Sequence, residues 1–304
     1  MTNKYRPEGY LFGSRENREY TSSRAGLERA MREGKILEAT AMRCDSSLRL
    51  HVDLYGMIGI IDKQEALFSP DGAPPKDIAI LTRVGKAVAC KVTGMEYSEE
   101  TGTTVYLSRR LAQAECAANY LEGLEAGDIV RAKVTHLESF GAFVDVGCGV
   151  PSLLSVDCIS VSRITHPRDR LYNGQMIWCV VRSIDRETGR IFVSTRELLG
   201  TWEENASKFT SGQTAAGIVR SIEDYGVFVE LAPNLAGLAE YRNDLAVGQS
   251  VTVYIKSIIP EKMKIKLIII DPYSESEFDA PLEYFIDTKN VKHLDSWTYS
   301  PHNC

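Results

Sequence analysis

One pattern of short strands recurs along this chain, and nothing else in the sequence narrows the possible folds as much. Residues 126–198 carry it most fully. In Gly127-Asp128-Ile129-Val130-Arg131-Ala132-Lys133-Val134, apolar Val130, Ala132 and Val134 alternate with polar Arg131, Lys133 and Thr135, as in a half-buried strand. Ser139-Phe140-Gly141-Ala142-Phe143-Val144-Asp145-Val146 follows. There Ala142, Val144 and Val146 are expected to point inward, and Phe143 and Asp145 outward. Gly141 supplies a bulge or bend that lets Phe140 share the outer face with Phe143. A strand over Met176 to Ile184, a turn at Asp185-Arg186-Glu187-Thr188-Gly189 and a strand over Arg190 to Ser194 close the unit.

A second copy occupies residues 212–271. Ala216-Gly217-Ile218-Val219 stands for the first strand and Asp224-Tyr225-Gly226-Val227-Phe228-Val229 for the aromatic one. Gly248 to Ile258 and Lys264-Ile265-Lys266-Leu267 end it. A degenerate copy, residues 34–112, keeps Val84-Gly85-Lys86-Ala87-Val88 and Val105-Tyr106-Leu107-Ser108, but its strand Leu48 to Leu54 lacks the aromatic pair. Short, evenly spaced strands with glycine turns predict a mainly β chain of three tandem small closed barrels.

Short helices are expected between and before them. Ser22-Ser23 caps one over Arg24 to Glu33, with Gly34 as terminator and Leu27 and Met31 as its apolar face. Others are expected over Leu111 to Tyr120 and over about Glu197 to Lys208. The expected divisions are a tail and helix (1–33), barrels at 34–112, 126–198 and 212–271, helical linkers at 113–125 and 199–211, and an acidic C-terminal segment (272–304). Met1 to Tyr20 lacks periodicity and is expected to be mobile or loosely docked. In the C-terminal segment Lys289 and Lys292 face six acids, which suits packing or a protein partner better than RNA. There, Tyr284, Phe285, Trp297 and Tyr299 read as an apolar strap.

The net charge of −6 excludes a clamp that is basic overall, but leaves room for a local basic groove. No apolar run long enough for a membrane helix occurs, and no signal-peptide core, so a cytoplasmic, membrane-free protein is expected. The seven cysteines are scattered without a C-x-x-C spacing and read as reduced thiols. His51, His136, His166, His293 and His302 show no metal-ligand spacing. No nucleophile elbow or phosphate-binding loop is present, and Gly147-Cys148-Gly149 reads as a hairpin turn. No catalytic residue, metal or cofactor is expected.

Ser139-Phe140-Gly141-Ala142-Phe143-Val144-Asp145, with Ser183-Ile184-Asp185 and Gly189-Arg190-Ile191-Phe192-Val193-Ser194, closely resembles the S1-type RNA-binding domain. Leu107-Ser108-Arg109-Arg110, Thr201-Trp202-Glu203-Glu204 and Lys208-Phe209 resemble the inter-repeat segments of short bacterial ribosomal S1 chains. The resemblance implies five-stranded OB-type barrels with RNA lying across one face. It maps binding positions onto Phe140, Phe143, Asp185 and Arg190, and puts Ser155 where the family usually has a histidine. In the last copy the corresponding positions are Tyr225, Phe228, Glu240, Ile259 and Lys264. It also implies contact with mRNA, the small (30S) ribosomal subunit and translation, by a chain expected to be monomeric.

Spacing alone leaves Phe140 and Phe143 as core or surface residues. The resemblance favours an exposed platform, on which unpaired bases stack whatever their identity. Lys133, Arg163, Arg182, Arg190 and Arg196 are the cations expected beside it to meet phosphates. Acidic and basic residues nearly balance across residues 126–198, so any positive groove must come from their segregation. The leading expectation is non-catalytic, weakly sequence-selective binding of single-stranded RNA. The alternative is a protein-interaction adaptor on the ribosome or an RNA-processing complex, with little RNA binding of its own.

Overall fold

A computed structural model describes residues 4–70, 72–100, 102–273 and 282–300. Three five-stranded barrels follow one another. The first comprises β1 (Leu37–Cys44), β2 (Leu50–Leu54), β3 (Met57–Ile61), β4 (Ala87–Ser98) and β5 (Gly102–Ser108). The second comprises β6 (Ile129–Glu138), β7 (Gly141–Asp145), β8 (Pro151–Ser155), β9 (Met176–Asp185) and β10 (Arg190–Ser194). The third comprises β11 (Thr214–Glu223), β12 (Gly226–Ala232), β13 (Leu235–Ala239), β14 (Ser250–Ile259) and β15 (Lys264–Tyr273).

All three close in the same order, first-second-third-fifth-fourth strand, with the third and fifth strands parallel. Each first strand is bulged at the same place, between Ala41 and Arg43, Val134 and His136, and Val219 and Ser221. Bulges bend and twist a strand enough to close so small a barrel. Inward residues alternate as the sequence predicts. Val130, Ala132, Val134, Ala142, Val144, Ile191 and Val193 fill the second core.

Helix α2 (Arg24–Glu33) has Ser23 as its N-cap and left-handed Gly34 as its C-cap, as expected. Its buried face is Leu27 with Ala30, whereas Met31 is 40% exposed. Helix α3 (Asp77–Leu81) lies between β3 and β4, and α4 (Arg109–Asn119) starts at the Ser108 cap. The helix expected over Glu197 to Lys208 is broken. A 3-10 turn at Arg196–Leu198 precedes Gly200 (φ +82°), and α5 covers only Trp202–Ala206, closed by a Thr201/Glu204 capping box. A Cβ on Gly200 would lie 2.8 Å from the Phe285 ring, so the break is also a packing site.

The N-terminal expectation is corrected. Of residues 1–20 only 1–3 lie outside the described set, and the segment from Lys4 is docked between the first two barrels. Glu8 is buried and accepts from Arg109 Nε and Nη2 at 2.7 and 3.0 Å and from the Ala89 N–H at 2.9 Å. Its own N–H donates to Asp145 at 2.6 Å. The Leu11 and Phe12 N–H groups donate to Glu38, both at 2.8 Å, and α1 (Arg15–Thr21) follows. Such bonds satisfy the buried polar backbone of the segment and hold it down. Asp145 therefore does not point to solvent. It is buried, and its carboxylate also accepts from the Gly147 and Gly149 N–H groups. Strand alternation ends where the carboxylate folds back to cap its own turn.

The second and third barrels share another polar seam. Arg170 and Arg220, both largely buried, converge on buried Glu230, with Arg220 Nε 2.7 Å from it. The Asn234 side chain accepts from the Val161 N–H and donates to the Arg196 and Gly200 carbonyls. The C-terminal strap is present in residues 282–300. Tyr284 Oη accepts from the Trp178 N–H at 3.0 Å, and the Tyr299 hydroxyl donates to the Asn234 carbonyl. Glu275, Glu277 and Asp279 of the acidic segment, with His302 and Cys304, lie outside the described residues. The six described cysteines are free thiols. Among the described residues no helix is long and apolar enough to cross a membrane.

Candidate nucleic-acid interface

Strand register lines up one outward residue from each strand of the second barrel. His136 on β6 pairs with Phe143 on β7, Phe143 with Leu153 on β8, Leu153 with Phe192 on β10, and Phe192 with Ser183 on β9. Their sequence neighbours Ala142, Val144, Ser152, Leu154, Ile191 and Val193 are buried, so the row lies on the outer face. Phe140 precedes β7, is 53% exposed, and meets Phe143 edge to face with ring centroids 6.0 Å apart. That contact holds the two rings in fixed relation while leaving π surface open.

The remaining predicted residues fall into three groups. Ser155 lies two residues along β8 from Leu153, hence on the same face and half-buried. Arg190, exposed, lies two residues from Phe192 on β10 and pairs in register with Asp185. No ion pair joins them. Asp185 instead accepts from the Thr188 hydroxyl and from the Glu187 and Thr188 N–H groups, which holds its carboxyl below the usual range. Asp185 thus shapes the hairpin, and Arg190 acts on it only through its charge, with no hydrogen bond between them. Arg182, exposed at the β9 bulge opposite Phe192, reaches Cys158 Sγ at 2.9 Å. Burial raises the Cys158 thiol, and the Arg182 and Arg196 charges oppose the shift, so both cations gather beside this loop. Arg196 is half-buried, with Nε unpartnered. Arg163 is exposed in the loop after β8.

Lys133 is not part of this surface. Its Nζ donates to the Glu8 carbonyl at 2.9 Å, in the seam with the N-terminal segment. Sequence reasoning missed Leu153, Phe192 and His136 as members of the row. The signal was available in Arg190-Ile191-Phe192-Val193-Ser194, where inward Ile191 and Val193 leave Arg190 and Phe192 on the outer face.

The same register positions differ in the other barrels. The first has Arg43, His51, Ile60, Tyr106 and Gly94. His51, where Phe143 stands in the second barrel, bonds Asp45 at 3.0 Å, and Asp45 also accepts from Arg49 Nε and two backbone N–H groups. The His51 bond, then the Arg49 bonds, hold the Asp45 carboxyl far below its ordinary value. The third barrel has Ser221, Phe228, Leu238, Lys266 and Ser257. Tyr225, 69% exposed, meets Phe228 edge to face at 6.1 Å, as in the second barrel. Lys264 is exposed opposite Ile259 at the hairpin.

Closed five-stranded barrels with an open aromatic face define OB-type barrels of the kind that hold single strands. The S1 RNA binding domain family matches residues 124–196, the second barrel. Small ribosomal subunit protein bS1 homolog of Bacillus cereus is 30% identical over 207 residues, covering 63% of this chain and 53% of that protein. Small ribosomal subunit protein bS1 of Staphylococcus haemolyticus is 32% identical over 200 residues, covering 61% and 50%. The chain spans about half the length of these relatives. A solved multidomain protein with nucleic acid binding domains from Streptococcus pneumoniae shares 15% identity, over 78% of this chain and 73% of that one, at a TM-score of 0.26. That likeness is too loose to carry weight. The chain is a three-barrel, OB-type protein whose second barrel matches the S1 RNA binding domain family, and it resembles bS1.

Proposed function

We propose that this protein binds single-stranded RNA on the outer face of its second barrel, without catalysis and with little sequence preference. The reading extends to association with the small ribosomal subunit and mRNA in the bacterial cytoplasm, by analogy with relatives that are ribosomal proteins. The observation that carries it is the open edge-to-face pair Phe140–Phe143 inside the segment that matches the S1 RNA binding domain. Each base stacked on such a ring is worth about 1–3 kcal/mol by alanine substitution. Arg182 and Arg190, exposed on strands beside the row, supply charge for phosphates. Among the described residues no convergent set of donors is arranged to read one base, which suits tolerance of sequence.

Fluorescence anisotropy with a short unstructured RNA across a salt series tests the proposal. Binding that weakens steeply with salt, and is lost in the Phe140→Ala/Phe143→Ala double variant, is the expected result. Unchanged binding in that variant would remove the surface from consideration. The first barrel favours a different task. Its His51–Asp45–Arg49 cluster satisfies its own polar groups where a base would stack, which suits docking on a protein, the adaptor reading confined to that barrel.

A further inference from the structure

The row on the second barrel extends beyond the aromatic pair. Phe143, Leu153 and Phe192 stand on three adjacent strands, β7, β8 and β10, and neither Leu153 nor Phe192 belongs to the packed core. Adjacent strands lie about 4.8 Å apart, so Phe192 is about 10 Å from Phe143 across the sheet. That exceeds one base step of a stacked strand, about 3.4 Å. A base on Phe192 is therefore not the immediate stacked neighbour of one on Phe143, and Leu153 offers apolar contact between them.

The equivalent residues in the other barrels are Tyr106 and Lys266. Tyr106 in the first donates its hydroxyl to Glu96 at 3.0 Å, and that bond raises its pKa. Lys266 in the third has no ring. Among the described residues Phe192 makes no ring contact with another aromatic. Exposed cations flank it: Arg182 at the bulge of the paired strand and Arg190 two residues along its own. Apolar, π-bearing and flanked by positive charge, the position suits an unpaired nucleobase with its phosphates.

The geometry points to a second stacking subsite at Phe192, so that single-stranded RNA runs across the strands from Phe140 and Phe143 over Leu153 to Phe192. This rests on the RNA-binding reading and adds the direction and length of the bound strand to it. Arg190 then holds a phosphate at the far subsite, not beside Phe140.

The test is a length ladder of one homopolymeric oligonucleotide, measured with the full chain as wild type, Phe192→Ala, Phe192→Leu and Phe143→Ala. Affinity of the wild type is expected to rise with length until the row is filled. Phe192→Ala should leave the shortest bound oligonucleotides unaffected and weaken the longer ones about 5- to 150-fold, the worth of one stack. Phe192→Leu keeps apolar bulk without a π face and should lie near Phe192→Ala. Phe143→Ala should weaken every length. An oligonucleotide with 5-iodouridine toward one end should photo-crosslink to the peptide containing Phe192. A Phe192→Ala ladder that overlays the wild type, while Phe143→Ala still weakens binding, overturns the second subsite and leaves the RNA reading intact. A Phe192→Leu ladder equal to wild type overturns stacking there. A wild type that binds no length at low salt overturns both.

Discussion

The first and second barrels share strand order, bulge positions and register, yet their outer rows are opposites. Where the second places half-buried Phe143 against exposed Phe140, the first places His51, tied to Asp45. Where the second has Phe192, the first has Tyr106, whose hydroxyl donates to Glu96. The frame is the same, so the difference must come from the residues presented, as expected when function is grafted onto a shared fold. The N-terminal segment docks on both barrels, bonding Glu38 and Ala89 of the first and Asp145 and Lys133 of the second. The second keeps one face open. A closed network in one barrel and an open aromatic pair in the next is what the proposed division into base and reader requires.

The largest expected effect breaks this comparison directly. Phe140→Ala/Phe143→Ala should cost about 2–6 kcal/mol of RNA affinity, the sum of two stacks, by anisotropy at low salt. His51→Ala and Tyr106→Ala together should leave affinity within about twofold. Equal losses from the two pairs of substitutions would show that the first barrel reads RNA as well.

Second in size is a pH effect at the seam between the first two barrels. Burial, then the Glu8 charge, raises the Glu38 carboxyl to about 7. Burial, then Glu8, also raises Asp145 to about 7, whereas Glu8 itself, desolvated but beside the Arg109 guanidinium, is held below its usual range. For Glu38 the folded value lies above the unfolded one, so the unfolded state loses its proton first as pH rises. Stability from this group is full below about 4.5 and is lost progressively up to about 7, by at most about 3 kcal/mol. Glu38→Gln keeps an acceptor for the Leu11 and Phe12 N–H groups and should flatten that fall, read as melting temperature from pH 4.5 to 8. RNA affinity of the open face should not follow the same curve. If it does, the seam and the reader are coupled.

How much of this was legible in the sequence depends on the range of the interaction. The barrels and their inward residues follow from alternation, which is local, and α2 follows from Ser23 and Gly34 at its ends. The helix over Glu197 to Lys208 failed because Gly200 adopts a left-handed turn beneath Phe285, a residue 85 positions away. Asp145 and Lys133 were placed outside because alternation puts them there. Glu8, more than 100 positions earlier, recruits both into a seam. The row from His136 to Ser183 needs register across five strands, and register between distant strands is not readable from one strand's pattern.

Charge should matter less than stacking. Arg182→Gln and Arg190→Gln should each lower affinity a few-fold. Each should also reduce the slope of log affinity against log salt by about 0.7, the value for one phosphate on a single strand. Arg43→Gln in the first barrel should leave the slope unchanged. A slope that ignores Arg190→Gln would place the phosphates elsewhere on the barrel.

The third barrel sharpens the comparison because it is intermediate. It keeps the edge-to-face pair, Tyr225 with Phe228, and an exposed Leu238 beside it. Its row then ends on Lys266, with exposed Glu240 after the third strand. One stacking site with no second aromatic and a nearby acid should bind weakly by itself. Its contribution should appear only when the same strand already occupies the second barrel, because the two are held together by Glu230 and Asn234 and the local concentration of RNA is then high. Tyr225→Ala/Phe228→Ala should therefore leave short oligonucleotides unchanged and weaken long ones about two- to fivefold, a loss under about 1 kcal/mol. A loss on short RNA equal to that of Phe140→Ala/Phe143→Ala would make the third barrel a reader in its own right. No loss at any length would make its aromatic pair a relic of the shared frame.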